Sequence, residues 1–346
     1  MMEIDGSMKS GSGTILRLSI ALAGILNQPL HIYNIRQKRP QPGLRPQHLE
    51  AVLTAAKICD AELKGAALGS RELWFTPKSI EGGEVEAEIG TAGSIPMLLL
   101  TVLPLCVVAK KPIRLHVVKG GTDTRNAPTI NYLKHVLFPV LSHMGLDTSL
   151  TIEKYGYYPK GMGEITLTVQ PCPKLKPTRL EGFGAIKELR GVSICTFLAD
   201  RKVAERQAKT ANQVLEPRGF KAEIEVLNDF SNPLQKGSSI VLWAETNSGA
   251  LLGADAIGEL GKPSEAVGRE AAERLLKEVE SKATVDVHSA DMLVPYVAMA
   301  EEESVYLTRL ITEHLDTNMW LTQQITGRKF KATKIDGLHR IETQHK

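Results

Sequence analysis

The chain of 346 residues contains few cysteines, few aromatic residues and no large excess of charge of one sign. Its four cysteines, Cys59, Cys106, Cys172 and Cys195, are far apart and form no CxxC pair. That pattern argues against a disulfide framework or a zinc site, and it predicts buried thiols in a reducing compartment. The net charge is only +3, so a nucleic acid would have to bind through a local basic patch.

The sequence also lacks a long apolar segment. Its longest apolar run, "SIPMLLLTVLPLCVVA", contains two prolines and is too short to span a bilayer, so it predicts a buried helix. The N-terminus, "MMEIDGSMKSGSG", lacks the apolar core of a signal peptide. With 42% apolar and 23% charged residues, the composition is that of a globular protein. We therefore expect a cytoplasmic protein without a membrane segment.

Three segments begin with a turn of small residues and continue into a strongly apolar helix. They are "GSGTILRLSIALAGIL", "TAGSIPMLLLTVLPLCVVA" and "HSADMLVPYVAMA". Each is followed by strand-like residues and by a second, more amphipathic helix, and the two helices start about 25–35 residues apart in all three cases. This pattern predicts an α/β protein built from three repeated units.

Between the second and third units the pattern changes to strands with two charged amphipathic helices, "DRKVAERQAKTANQVLEPRG" and "SEAVGREAAERLLKEVE". A chain of this length exceeds the usual size of one hydrophobic core, and the proline-rich "PCPKLKPTRL" predicts a boundary. We expect a large domain holding units one and two at 1–179, a smaller inserted α/β domain at 180–280, and the rest of the large domain with unit three at 281–346.

The glycine-rich opening "SGSGTILR" is neither a P-loop nor a dinucleotide fingerprint, because it lacks the lysine of the first and the third glycine of the second. Its backbone N–H groups could hold a phosphate at the start of a helix. A simple connecting turn is the alternative.

A basic loop is more informative. The stretch "NIRQKRPQPGLRPQHL" carries Arg36, Lys38, Arg39, Arg45 and His48 and no acidic residue. Arginine suits phosphate because its planar fork donates two aligned hydrogen bonds. A solvated surface loop is the alternative, but the prolines restrict the geometry, and the stretch predicts a phosphate-binding loop.

Two further motifs leave their interpretation open. In "KGGTDTRNAP", Gly120 and Gly121 would let backbone approach a ligand closely, or they form only a strand-to-helix turn. In "VDVHSADMLVPY", His288 and Asp291 lie at the start of an apolar helix. Asp291 could interact with the helix dipole in the first turn or could orient a ligand's polar groups.

His314 follows the alternating run "SVYLTRLI", which predicts a strand, and precedes a helix over "NMWLTQQIT" that Asp316 or Thr317 would cap. Next to a helix N-terminus the dipole would lower the pKa of the imidazole and keep it neutral, and a neutral imidazole is a usable nucleophile near pH 7. A surface or capping histidine is the alternative.

Several of these stretches together resemble the RNA 3'-terminal phosphate cyclase family. They are "EIDGSMKSGSGTILR", "IRQKRPQPGLRPQHL", "GTAGS", "KGGTDTRNAP", "YGYYPKGMGE", "AETNSGALLGADAIGELGKPSEAVGREAAERLL", "HSADMLVPYVAMA" and "TEHLDTNMW". The similarity extends over essentially the full length in the expected order.

The resemblance implies a fold and a reaction. The fold would have three repeated units, each of two helices on a four-stranded sheet, and a smaller inserted domain. In the reaction, His314 would attack the α-phosphate of ATP and form a covalent histidine–AMP with a divalent metal (Mg or Mn) on the triphosphate. AMP would pass to an RNA 3'-phosphate, and the adjacent ribose 2'-hydroxyl would then close a 2',3'-cyclic phosphate. A homodimer agrees with the resemblance.

The resemblance also assigns site residues. Arg17, Pro128, His288, Asp291 and Met292 would contact ATP, whereas Arg36, Arg39, Gln47 and His48 would surround the RNA phosphate. The chain departs from the family at three places. Ser10 stands where a glutamate near the metal is common, Met292 replaces a glutamine, and Met162 interrupts a triple glycine. Metal placement and the preference for ATP over GTP are therefore left open.

Two other functions fit parts of the pattern. A catalytically silent cyclase-like protein would bind ribosomal RNA during processing, but such relatives lack the histidine nucleophile that His314 supplies. An enolpyruvyl-transferase-like enzyme would share the repeated architecture, but the inserted domain argues against it.

Overall fold

Four mixed β-sheets of four strands each, with helices packed on them, form the α/β architecture of residues 1–344, the part of the chain that this computed structural model describes. Residues 345 and 346, at the end of the predicted large-domain part 281–346, lie outside the described residues. In residues 1–344, no helix combines the length and the apolar character needed to cross a membrane.

The first sheet comes from residues 2–76. In chain order its elements are β1 (Met2–Asp5), α1 (Gly13–Ile25), β2 (Leu30–Tyr33), α2 (Pro46–Cys59), β3 (Glu62–Lys64) and β4 (Leu73–Thr76). The strand order across the sheet is β1-β2-β4-β3, with β1 parallel to β2 and the other pairs antiparallel. Buried and partly exposed residues alternate along β2 and β4, so one face of the sheet packs on the helices.

The second sheet comes from residues 83–169. Its elements are β5 (Gly83–Glu88), α3 (Ile95–Val107), β6 (Ile113–Gly120), α4 (Ile130–Tyr132), a π-helical turn (Leu133–Leu137), α5 (Phe138–His143), β7 (Thr148–Lys154) and β8 (Gly163–Val169). Its order is β5-β6-β8-β7, again with the first pair parallel and the others antiparallel.

The next sheet has a different order. After β9 (Arg179–Leu180), the chain forms β10 (Ile186–Thr196), α6 (Val203–Leu215), β11 (Glu223–Asp229), β12 (Gly237–Thr246), β13 (Leu251–Ile257) and α7 (Ser264–Ser281), with 3-10 turns at Ala199–Arg201 and Glu216–Arg218. The order is β11-β10-β12-β13, and the two helices pack against each other and on this sheet. These are the strands and helices that the sequence predicts for this region.

The last sheet combines residues from both sides of that region. Its elements are α8 (Val287–Met292), α9 (Val294–Met299), β14 (Val305–Thr308), α10 (Glu313–Thr326), β15 (Lys329–Ile335) and β16 (Leu338–Gln344), together with β9. The order β15-β16-β14-β9 has β9 parallel to β14 and antiparallel pairs elsewhere. Read from β9, it is the order of the first two sheets.

The buried residues form two main hydrophobic cores. One contains α1, α3 and the residues packed around them, and it explains why those helices are apolar on nearly every side. The other lies between α6, α7 and the β10–β13 sheet. Three of the four cysteines are buried free thiols, as predicted, whereas Cys172 is partly exposed.

Two predicted helix boundaries are wrong. The helix containing His314 begins at Glu313, after the N-cap Thr312, rather than after Asp316 or Thr317. The Thr312 hydroxyl accepts from the Leu315 N–H (2.9 Å), an N-cap bond that settles the start of the helix. The helix predicted over "HSADMLVPYVAMA" is divided into α8 and α9, with Pro295 at the start of the second.

Candidate active site

A cavity of about 620 Å³ lies where α1, α8 and α10 meet the β10–β13 sheet and α7. Its lining includes His314 and all five residues expected to contact ATP, namely Arg17, Pro128, His288, Asp291 and Met292. The volume is in the usual range for a small-molecule site. Residues separated by up to 300 positions therefore come together around one cavity.

His314 is the second residue of α10, and its side chain is open to the cavity. Its Nδ1 atom lies 3.1 Å from the hydroxyl oxygen of Thr14 on α1. Arg17, one turn further along α1, donates to the same oxygen at 3.3 Å. The prediction that His314 lies by a helix N-terminus is confirmed, and Arg17 is the basic residue beside it.

The pKa of His314 is lowered from its ordinary value, and the main cause differs from the predicted one. Partial burial is the largest cause, followed by the positive charges of Arg17 and Arg39. Although the side chain is accessible from the cavity, protein atoms surround the cavity and limit its hydration. The imidazole is therefore neutral near pH 7 chiefly because burial disfavours its charged form, with the charges of Arg17 and Arg39 adding to the effect.

The glycine-rich turn packs His48 against the start of α1. A Cβ atom at Gly13 would collide with the imidazole of His48 and would lie 2.9 Å from the guanidinium of Arg17. Ser12 caps the helix by accepting from the Thr14 N–H at 3.2 Å. One of the amides that could have held a phosphate is therefore already satisfied.

His48 is buried and does not act as a cation. Burial, reinforced by the charges of Arg17 and Arg36, lowers its pKa to about 2. Its Nδ1 atom is buried without a hydrogen-bond partner among the described residues. The sequence counted His48 among the basic groups of the loop, and the structure corrects that: the ring is neutral.

The basic loop has a tightly turned backbone, with Asn34 and Arg36 both in the left-handed region (φ 52° and 56°). The Arg36 guanidinium donates to the carbonyl oxygens of Gln41 and Gly43, each at 2.8 Å, so it also holds the loop together. Arg39 is exposed, and its guanidinium has no hydrogen-bond or ion-pair partner within residues 1–344, although its backbone N–H donates to the Arg36 carbonyl at 3.0 Å. The Arg45 side chain is likewise exposed and unpaired within residues 1–344, but of these two arginines Arg39 is the one whose charge acts on His314.

Gln47 lies in the first turn of α2, and its side-chain oxygen accepts from the backbone N–H of Ser94 at 2.8 Å. Ser94 is the N-cap of α3. Gln47 therefore joins the first helix-and-sheet layer to the second. The four residues expected to surround the RNA phosphate lie beside the cavity rather than in its lining; they are Arg36, Arg39, Gln47 and His48.

Asp291 lies in the lining near the end of α8, not in the first turn. Burial raises its pKa to about 7. Thr312 lies 3.5 Å from its carboxylate, and Asn318 donates to its backbone oxygen at 2.8 Å. The first-turn interpretation is wrong because Asp286 is the N-cap of this helix.

Asp286 is a structural residue that the sequence did not reveal. One carboxylate oxygen accepts from the Tyr132 hydroxyl (2.7 Å) and from the N–H groups of His288 and Ser289, and the other accepts from the Gly253 N–H at 2.9 Å. These bonds connect α4, α8 and β13 at one point. The side of the cavity formed by β13 is therefore fixed to the side formed by α8.

Sequence reasoning also did not identify the residues that form the opposite side of the cavity. This side contains Asp255 on β13, Arg274, Lys277 and Glu278 on α7, and Arg309 after β14. Glu278 is buried, and its carboxylate pairs with Arg309 at 2.7 Å. Helical spacing revealed the apolar face of α7 but gave no indication that its polar side faces a cavity.

Ser10, which replaces the family's glutamate, does not fit a resident metal ion. Its hydroxyl lies 3.0 Å from the hydroxyl of Ser12, and both are buried. Within the described residues, no three His, Cys, Asp or Glu side chains come together as a metal-binding group. Hard cations such as Mg²⁺ prefer carboxylates, phosphates and water to a pair of serine hydroxyls.

Comparison with known proteins agrees with this arrangement. A family model described as RNA 3'-terminal phosphate cyclase matches residues 8–332. The RNA 3'-terminal phosphate cyclase of Pyrobaculum aerophilum is 42% identical over 345 residues, covering 99% of this chain and 98% of the relative. The chain belongs to the RNA 3'-terminal phosphate cyclase family.

Other members show the same extent of similarity. The cyclase of Pyrococcus furiosus is 43% identical over 332 residues, which are 96% of this chain and 95% of the relative. That of Methanopyrus kandleri is 42% identical over 328 residues, or 94% and 93%. A cyclase match over the full length decides against the enolpyruvyl-transferase interpretation.

Proposed function

We propose that this cyclase-family chain converts an RNA 3'-phosphate into a 2',3'-cyclic phosphate with ATP, through a covalent histidine–AMP on His314. The observation that carries the proposal is a neutral imidazole open to a nucleotide-sized cavity beside Arg17. No described residue hydrogen-bonds to its Nε2 atom, so no protein group competes with ATP for that nitrogen.

The first step is attack by Nε2 of His314 on the α-phosphorus of ATP. The bond from that phosphorus to the bridging oxygen breaks, and pyrophosphate leaves. Charge accumulates on the phosphate oxygens as the step proceeds, and Arg17, positioned by Thr14, is the nearest fixed cation to receive it. Burial lowers the pKa of Arg17 to about 10, so it remains charged at neutral pH.

In the next step an oxygen of the RNA 3'-phosphate attacks the same phosphorus and displaces the imidazole. AMP attached to the RNA phosphate then provides a good leaving group for attack by the ribose 2'-hydroxyl. Arg39, whose guanidinium is unpaired within residues 1–344 and whose charge acts on His314, would neutralise the incoming RNA phosphate. Arg36 and Gln47 support this loop and its junction with α3.

Pro128, His288, Asp291 and Met292 would contact the nucleoside. Their support is that they line the same cavity as His314. A divalent cation, Mg²⁺ or Mn²⁺, would arrive bound to the phosphates of ATP, since the side chains around Ser10 do not supply a site for it. The compartment would be the cytoplasm.

The proposal includes the organisation of the chain. Three sheets that share one strand order and the same parallel pair support three copies of one unit. The sheet of different order, with its own hydrophobic core, supports an inserted domain at 180–280 between parts of a large domain at 1–179 and 281–346.

Incubation with α-labelled ATP tests the function. We expect label on the protein that is stable to alkali and labile to acid, as a phosphoramidate is, and RNA with a 3'-phosphate should become cyclised. His314→Ala should lose both reactions, whereas the control His339→Ala, on the remote strand β16, should keep both. If the unchanged chain folds and binds RNA but takes up no label, it is a silent binder and the proposal fails.

A further inference from the structure

The hydroxyl of Thr14 links the two groups on which the proposed chemistry depends. Its oxygen is 3.1 Å from Nδ1 of His314 and 3.3 Å from a guanidinium nitrogen of Arg17. Thr14 is buried at the start of α1 and also lines the cavity.

The protons on these groups are constrained. Arginine can only donate, so the Thr14 oxygen accepts from Arg17. The remaining bond to His314 has two forms. Either the Thr14 hydroxyl donates to Nδ1, which places the ring proton on Nε2, or the Nδ1–H group donates to the Thr14 oxygen, which leaves a lone pair on Nε2.

Only the second form gives a nucleophile. In the first form Nδ1 is occupied by the hydroxyl proton and Nε2 carries hydrogen, so neither nitrogen has an available lone pair. In the second form Nε2 is free, and no described residue hydrogen-bonds to it. The Thr14 oxygen has two lone pairs, enough to accept from both Arg17 and His314.

We propose that Thr14 is a positioning residue that holds His314 in the Nδ1–H form, so that the lone pair on Nε2 is available to attack ATP. This inference rests on the proposed function of His314. The Thr14 hydroxyl proton is then free to be donated to a phosphate oxygen in the cavity. A partner of the second ring nitrogen commonly fixes the tautomer of a functional histidine in this way.

The proposal needs no proton transfer in the first step. The Nε2 lone pair forms the N–P bond, and the electrons of the broken P–O bond leave with pyrophosphate. The proton remains on Nδ1, where the Thr14 oxygen accepts a stronger hydrogen bond from the now cationic ring. When the RNA phosphate displaces the ring, the electrons of the N–P bond return to Nε2 and the starting state is restored.

Nitrogen NMR of protein labelled with ¹⁵N in histidine gives a direct test. The signals of His314 are assigned by their loss in His314→Ala. At neutral pH we expect Nδ1 to show a protonated, pyrrole-type shift and Nε2 an unprotonated, pyridine-type shift. The reverse pattern in the unchanged protein would overturn the proposal, even if label from ATP still reaches His314.

Substitution separates positioning from folding. Thr14→Val keeps the shape but removes the hydroxyl, and it should shift His314 toward the Nε2–H form and slow adenylation about ten- to a hundredfold, with little change in the KM for ATP. Thr14→Ser should restore both the tautomer and the rate. Thr322→Val is the matched control, because Thr322 is a buried threonine of α10 whose hydroxyl has no partner in the described structure.

The outcomes distinguish the two proposals. If unchanged protein takes up label and Thr14→Val retains both the rate and the Nδ1–H form, the role of Thr14 is refuted and that of His314 stands. If unchanged protein takes up no label at all, the proposed function itself fails, and the NMR result then describes only a structural hydrogen bond.

Discussion

The two sides of the cavity differ in how their charges are used. On the side formed by α1 and α10, within residues 1–344, Nε2 of His314 has no hydrogen-bond partner and the Arg17 guanidinium donates only to the Thr14 hydroxyl. On the side formed by β13 and α7, Arg309 is paired with Glu278, and Arg274 pairs with Glu270 and donates to the carbonyl oxygen of Asp255. We infer that the first side performs the chemistry and that the second mainly holds the ligand.

The difference follows from electrostatics. Partly buried charges that already pair with each other cannot move to a developing transition state without loss of those pairs. A neutral imidazole beside a single arginine can respond to the phosphate directly. If this contrast is correct, substitutions on the α1 and α10 side should change the rate, and substitutions on the β13 and α7 side should change the binding of ATP.

Among the charged residues around the cavity, Arg17 should give the largest effect. Arg17→Ala removes the cation closest to the attacked phosphate and the donor to Thr14, and we expect a loss of about a hundredfold in the adenylation rate. Single-turnover transfer of label to the protein measures it. Arg201→Ala, an exposed arginine in a 3-10 turn, serves as the control and should behave like the unchanged protein. A rise in the KM for ATP without a change in rate would mean that Arg17 only binds ATP and takes no part in the chemistry.

Arg39 should affect the RNA step alone. Arg39→Ala removes an unpaired cation from the loop, and we expect cyclisation of RNA 3'-phosphate to fall about tenfold while adenylation stays within about twofold. Separate assays of protein labelling and RNA cyclisation measure the two steps. Arg36→Ala should also lower RNA use, but with a loss of stability, because Arg36 holds two loop carbonyls. Equal loss of both steps in Arg39→Ala would place the loop on ATP.

Lys277 tests the holding side. It is exposed toward the cavity and has no ion-pair partner within residues 1–344. We expect Lys277→Ala to raise the KM for ATP up to about fivefold without changing the rate at saturation, as for a solvent-screened charge. Steady-state kinetics over a range of ATP concentrations measures both. A large fall in the saturated rate would mean that the α7 side takes part in the chemistry.

The smallest effect concerns pH. The pKa of His314 is lowered from an ordinary value of 6.5, so the neutral form persists as the pH falls through that value. The loss of adenylation that follows from protonating His314 should therefore be centred below pH 6.5, whereas a change centred near pH 7 would belong to Asp291 in the same cavity. Thr14→Ser should keep the same profile. A decline centred on 6.5 would show that the ring is not shielded in the way the structure indicates.

Sequence reasoning succeeded where the information was local. The apolar helices, the strands of the β10–β13 region and the placement of His314 near a helix start all follow from periodicity and turn residues. The start of α10 was misplaced because Thr312, Asp316 and Thr317 are all residues that favour an N-cap position. Only the bond from Leu315 to Thr312 decides among them.

The parts that were missed depend on tertiary contacts. The role of Asp286 requires Tyr132 and Gly253 to meet it, and neither is near in sequence. His48 reads as a basic residue until the packing of Gly13 buries it. The α7 side of the cavity was invisible because an amphipathic pattern reports which face is apolar and says nothing of what the polar face meets.

The hydrogen bond from the Thr284 hydroxyl to the Leu180 carbonyl (2.9 Å) has a consequence for how the chain is assembled. The short strand β9 is synthesised before β10, but its partner strand β14 follows α7 in the chain. During synthesis β9 therefore cannot pair with β14 until the segment from β10 to α7 has been made. The same hydrogen bond brings the two ends of this segment together. The segment that carries the β10–β13 sheet therefore leaves and re-enters the rest of the chain at one place, between Leu180 and Thr284.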